Sequence, residues 1–115
     1  MKIVSVTMVK INNLPISLRK RNIGEKLIEI CEENDIVFMT IFGSFVRGEQ
    51  KKKSDIDIAI KYADGKRKSL FDLVELQEKL KKLFGRKVDI GEFDSISPYI
   101  IDYVKKEMRI IYEKR

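Results

Sequence analysis

Residues 37–61 open with Val37-Phe38-Met39-Thr40-Ile41-Phe42-Gly43-Ser44-Phe45-Val46-Arg47-Gly48 and close with Ser54-Asp55-Ile56-Asp57-Ile58-Ala59-Ile60-Lys61. The first six are short, β-branched and aromatic, which predicts a buried strand ending at Gly43. A polar, basic loop follows, and a second strand is predicted over 55–61. Residues two apart in a strand face the same side. Asp55 and Asp57 are therefore expected on one side and Ile56, Ile58 and Ile60 on the other, which is the core side. Aspartate is disfavoured in strands, and two on one face repel each other. A divalent cation turns that repulsion into attraction: two carboxylates with phosphate oxygens and water make the usual oxygen shell of Mg²⁺. A solvent-facing strand end that carries two aspartates gives the same letters, so Asp-x-Asp alone leaves both readings open.

Gly43-Ser44 follows the first strand directly. Glycine lets an anion approach the backbone, and a helix opening at Ser44 would aim free N–H groups and a hydroxyl at a phosphate. Arg47 lies one turn on, where it either anchors the loop or neutralises phosphate charge, and Gly48 lets the chain turn back. An ordinary strand–loop–strand connection explains these residues equally well when they are taken alone.

Downstream, Asp64-Gly65 predicts a turn, extended by Lys66, Arg67 and Lys68. Ser69 with Asp72 three residues on reads as a helix N-cap. Leu73, Leu76, Leu80, Leu83 and Phe84 then recur at helical spacing, the strongest amphipathic pattern in the chain, and Gly85 fits a C-cap. Residues 87–91 predict a third strand, with Asp89 between two apolar residues. A carboxylate there would converge with Asp55 and Asp57 to suit two metal ions, and it could take a proton from an attacking hydroxyl. A strand-end aspartate beside the Gly91 turn is the plainer alternative. Ser97-Pro98 predicts a helix over 98–106, with Tyr99 and Tyr103 expected in the core, and residues 109–113 predict a last strand. Upstream, Ile23, Leu27, Ile30 and Cys31 mark one face of a helix expected over 17–34, weakened by Gly24. Residues 1–12 read as an extra strand or an N-terminal arm.

The 115 residues fit one domain, 1–115, of mixed α and β elements. Cys31 is the single cysteine, so no intrachain disulfide forms and a reducing, cytoplasmic setting is the default; the thiol is expected to pack as a small hydrophobe. The chain has no histidine, which excludes a Ser-His-Asp triad and a zinc–histidine site. Its net charge of +6 favours anionic partners without choosing among nucleotides, RNA, DNA and acidic protein faces. Lys51, Lys52 and Lys53 add to that charge beside Asp55, as an anion-attracting run or simply a solvated one. No apolar run is long enough to span a membrane, and residues 1–10 are too short and interrupted for a signal peptide.

Taken jointly, Gly43-Ser44-Phe45-Val46-Arg47-Gly48, Ser54-Asp55-Ile56-Asp57-Ile58 and the later Asp89 resemble the DNA polymerase β-like nucleotidyltransferase superfamily. The spacing looks specifically like its minimal nucleotidyltransferase (MNT) branch, the MntA-type antitoxins of HEPN/MNT modules, over roughly residues 17–113. The resemblance implies an α+β nucleotidyltransferase fold, a small mixed β-sheet with helices packed mainly on one face. It implies that Gly43, Ser44 and Arg47 bind the nucleotide and that Asp55, Asp57 and Asp89 form the catalytic and metal site, with two Mg²⁺ ions and ATP as the donor. It further implies in-line attack by a hydroxyl on the α-phosphorus, with AMP passing to a tyrosine of a HEPN-domain toxin. The domain is too small to grip an acceptor by itself, so a hetero-complex or a second copy is expected to supply the choice. A non-enzymatic antitoxin that masks its partner, and a transferase acting on RNA or a small molecule, are the competing readings.

Overall fold

The computed structural model describes residues 7–43, 55–66 and 68–114. Five strands form one sheet: β1 (Thr7–Val9), β2 (Ile36–Phe42), β3 (Ile56–Tyr62), β4 (Val88–Glu92) and β5 (Arg109–Lys114), in the order β1-β5-β2-β3-β4. The β1–β5, β5–β2 and β2–β3 pairs are antiparallel, whereas β3 and β4 run parallel. Helices α1 (Ile23–Glu33) and α2 (Leu70–Phe84) pack on each other and on β2 and β4 respectively. A third, short helix, α3 (Ile101–Glu107), precedes β5. The architecture is the expected α+β one, and residues 7–9 of the N-terminal segment join the sheet as an edge strand.

Burial explains the layering. Ile56, Ile58 and Ile60 on β3, Met39 and Ile41 on β2, and Val88 and Ile90 on β4 are all buried. They meet Leu27 and Cys31 of α1 and Leu76, Leu80, Leu83 and Phe84 of α2 in one core. The alternate residues of β3, Asp57, Ala59 and Lys61, belong to the opposite sheet face. There the Lys61 ammonium lies 5.3 Å and 4.9 Å from the ring centres of Phe38 and Phe93, which themselves meet edge to face. Burial also raises the Cys31 thiol well above the ordinary thiol range, which suits an inert core residue.

Three expectations need correction. The first helix starts at Ile23, because Asn22 adopts a left-handed conformation with φ 61° and residues 16–18 form only a 3₁₀ turn after Pro15. The Arg19 side chain stitches that turn down by donating to the Leu14 and Asn12 carbonyls. Gly24 consequently sits in the first turn of α1, where a Cβ would press on the Ile11 side chain. The last helix starts at Ile101, with residues 98–100 wound around Ser97, whose carbonyl accepts from both Ile100 and Ile101. Tyr99 and Tyr103 lie outside the core, Tyr99 being 97% exposed; only Val104 of that helix is buried.

Helix α2 carries a full capping box. The Ser69 hydroxyl accepts from the Asp72 N–H, and the Asp72 carboxylate accepts from the Ser69 N–H at 2.8 Å. Gly85 ends the helix in the left-handed region at φ 71°. Ser69→Ala is predicted to lower stability by ~1 kcal/mol. In urea this reads as an earlier midpoint at unchanged slope; an unmoved midpoint would contradict the role of the cap.

The turn after β3 is tied back to the start of β2. Asp35 accepts from the Lys68 ammonium at 2.7 Å, and its carbonyl accepts from the Ala63 N–H. The Lys68 hydrogen bond holds the Asp35 carboxyl below its usual range and, reciprocally, holds Lys68 above its own. Stability from a depressed carboxyl is present above its unfolded pKa and is lost as pH falls through the folded value. Asp35→Asn, which keeps a residue tolerant of the φ of 57°, is predicted to flatten the fall in stability below about pH 4. An unchanged acid limb in pH-dependent urea melts would contradict this.

Candidate active site

Strand register brings the predicted residues together. In the parallel β3–β4 pair Asp57 stands opposite Asp89, and on its other side Asp57 pairs with Phe42, the last residue of β2. Neighbouring strands lie about 4.8 Å apart, so two in-register side chains project side by side. The pair leans over Gly43. With φ +84°, Gly43 occupies the left-handed region, and a Cβ there would overlap the Asp57 carboxylate. Absence of a side chain at 43 is what leaves this carboxylate its place. Two separate demands, backbone conformation and space, thus select glycine.

Asp55 precedes β3 rather than lying within it. It is exposed, and its carboxylate is 3.9 Å from the Lys87 ammonium at the foot of β4. Among the described residues no three Asp, Glu or Cys side chains converge closely enough to hold a metal ion as they stand. Adjacent carboxylates repel by ~3 kcal/mol at about 5 Å in an effective dielectric of about 20, and by less where water screens them. The donor set nevertheless fits a hard cation: Asp57 and Asp89 offer carboxylate oxygens from one sheet face, Asp55 lies two residues away, and polyphosphate oxygens complete such a shell. Ser44, Arg47, Lys51, Lys52, Lys53 and Arg67 fall outside the described residues.

Two residues that sequence reasoning did not single out support this edge. Gln77 of α2 donates through Nε2 to the Val88 carbonyl at 3.0 Å, pinning β4 one residue before Asp89. Lys87 donates its carbonyl to the Ile56 N–H at 2.9 Å, fixing the start of the parallel register between the two aspartates of β3. No local motif marks either residue, since each acts across elements that meet only in the fold. A roomier groove of about 440 Å³ runs between α1 and α2, lined by Lys20, Lys26, Lys79 and Lys82 among others, but it does not include the aspartates.

Two carboxylates in register on parallel strands, beneath a glycine that ends the preceding strand, form an anion-and-cation edge of a recognisable kind. The family model of the polymerase β nucleotidyltransferases matches residues 25–115. The chain belongs to that family. It is a nucleotidyltransferase. MJ0435 of Methanocaldococcus jannaschii is 40% identical over 85 residues, spanning 74% of this chain and 89% of that protein. The protein adenylyltransferase MntA of Thermococcus cleftensis is 35% identical over 80 residues, 70% of this chain and 79% of the relative. A toxin–antitoxin crystal structure with AMP-PNP superposes with a TM-score of 0.64 at 27% identity, covering 78% of this chain and 73% of that one. No described helix of the nucleotidyltransferase is long and apolar enough to cross a membrane.

Gly43→Ala is predicted to lower the transfer rate at least tenfold while leaving a folded protein, because the methyl group displaces the Asp57 carboxylate. The backbone strain adds about 1 kcal/mol of destabilisation. Steady-state rates with circular dichroism check both; a fully active alanine variant would show that the Gly43–Asp57 approach is not needed.

Proposed function

We propose that this nucleotidyltransferase moves AMP from ATP to a hydroxyl of a partner protein, a tyrosine of a HEPN-domain toxin, and so acts as the antitoxin of a HEPN/MNT module. The observation that carries the transfer chemistry is the side-by-side placement of Asp57 and Asp89 against the bare backbone of Gly43. The choice of AMP and of a protein acceptor draws support from the adenylyltransferase name of MntA and from the toxin–antitoxin structure containing an ATP analogue.

In this reading Gly43 and Ser44 cradle the triphosphate, and Arg47 either neutralises its charge or braces the loop. Asp55, Asp57 and Asp89 would hold two Mg²⁺ ions, which when bound neutralise the phosphate charge that builds up during transfer. Asp89 is the exposed carboxylate at the open side of the sheet, so it is placed to accept the acceptor hydroxyl's proton. The hydroxyl oxygen then bonds to the α-phosphorus as the bond from that phosphorus to the bridging oxygen breaks. Pyrophosphate leaves with that electron pair. The protein's share is alignment and charge compensation.

The test uses α-labelled ATP, Mg²⁺ and a HEPN-domain protein from the same genome. Label is expected on a tyrosine of the partner, with at least a 10²-fold loss in Asp57→Ala and a marked loss in Asp55→Ala. If the partner stays unlabelled yet is inhibited equally by Asp57→Ala, the chain masks rather than modifies it. Label on added RNA instead would move the acceptor to nucleic acid.

A further inference from the structure

The flank of α2 that borders β4 carries a feature the transfer chemistry does not use. Leu70, Val74, Gln77 and Lys81 recur at i, i+4, i+7 and i+11, which is one stripe of a helix. Its first half is apolar and uncovered: Leu70 is 74% exposed and Val74 48%, and beside them Phe71 is 87% exposed. The rest of the outer face of α2 is charged, with Glu75, Glu78, Lys79 and Lys82. Three large apolar side chains together in water are unlike scattered surface residues and mark a contact surface.

The stripe leads to the transfer site. At its apolar end Leu70 lines a hollow of about 350 Å³ with Glu92 of β4 and Ser95. At its other end Val74, Gln77, Glu78 and Lys81 border a smaller hollow of about 160 Å³ with Lys87 and Val88. Val88 is the neighbour of Asp89, and Lys87 is the residue beside Asp55. One groove therefore follows the outer edge of β4, the end strand of the sheet among the described residues, from an apolar mouth to the carboxylates.

The chemistry of the groove selects its occupant. A nucleic-acid backbone would want cations along the stripe, whereas the mouth is Leu70, Phe71 and Val74. Protein interfaces are built around exposed apolar and aromatic anchors of this kind. At the inner end Lys81 and Lys87 outnumber Glu78, which suits an acidic residue close to the modified hydroxyl. We propose that the α2–β4 groove docks the protein acceptor, a segment with a bulky apolar side chain for the Leu70–Phe71–Val74 mouth and an acidic residue near Lys81. This rests on the reading that the acceptor is a protein.

The test measures affinity and transfer separately, with the HEPN-domain protein as the probe. Phe71→Asp and Val74→Lys are exposed substitutions, and an acidic residue in the first turn suits α2, so folding is expected to be unchanged. Calorimetric binding of the partner should weaken at least tenfold in either variant, and KM for the partner should rise similarly. The kcat and the binding of an ATP analogue should stay within twofold. Lys81→Glu should weaken binding by a smaller factor that disappears at high salt. Partner affinity unchanged in both apolar variants overturns the proposal, as does a wild-type chain that forms no complex. Binding that depends on Phe71 without any label transfer would leave the docking surface standing and overturn the transfer reading instead.

Discussion

Parallel strands cannot be joined by a tight turn; they need a crossover. Here α2 is the crossover between β3 and β4, and the whole site depends on its seating. When Leu76, Leu80, Leu83 and Phe84 bury against Ile56, Ile58, Ile60, Val88 and Ile90, the register of the two strands is settled. Side chains in a strand alternate, so fixing the isoleucines inward fixes Asp57 outward, and fixing Val88 and Ile90 inward fixes Asp89 beside it. A slip of one residue would bury the carboxylates and expose the core, an outcome too unfavourable to compete. Hydrophobic burial on one face thereby aligns charged groups on the other.

Polar contacts then trim what packing has set. The capping box at Ser69 defines where α2 begins, Gln77 holds the backbone next to Asp89, and Lys87 ties β4 to the first residue of β3. Each is a modest interaction of about 1 kcal/mol, too weak to assemble the site and well suited to hold it in line. Gly43 acts differently: it contributes by what it omits, leaving room beside Asp57 and a turn that residues with a side chain adopt reluctantly.

Much of this was legible in the residues because local patterns and the fold agree. The strand ending at Gly43, the isoleucine alternation of β3, the leucine spacing of α2 and its Ser69 and Gly85 caps all appear in place. Gly43, Asp57 and Asp89 could be gathered from their spacing only with the family pattern in view; alone, each had an ordinary turn or strand-end explanation. The failures have physical causes. Apolar periodicity over 17–34 runs into a left-handed Asn22, a backbone choice that periodicity does not record. Tyr99 and Tyr103 sit at helical spacing, yet the turn around Ser97 delays the helix and leaves Val104 as its buried residue. Gln77 and Lys87 escaped notice because their roles exist only once α2 lies against β4.

The central claim is that Asp57 and Asp89, held in register under Gly43, bind metal together with the nucleotide. Mn²⁺ binding followed by electron paramagnetic resonance, in the presence of a non-hydrolysable ATP analogue, tests it most directly. Wild-type protein should bind two Mn²⁺ ions per chain, and Asp89→Asn should bind at least one of them ten times more weakly with its fold intact. Mn²⁺ stoichiometry and affinity unchanged in both Asp57→Asn and Asp89→Asn would contradict the account.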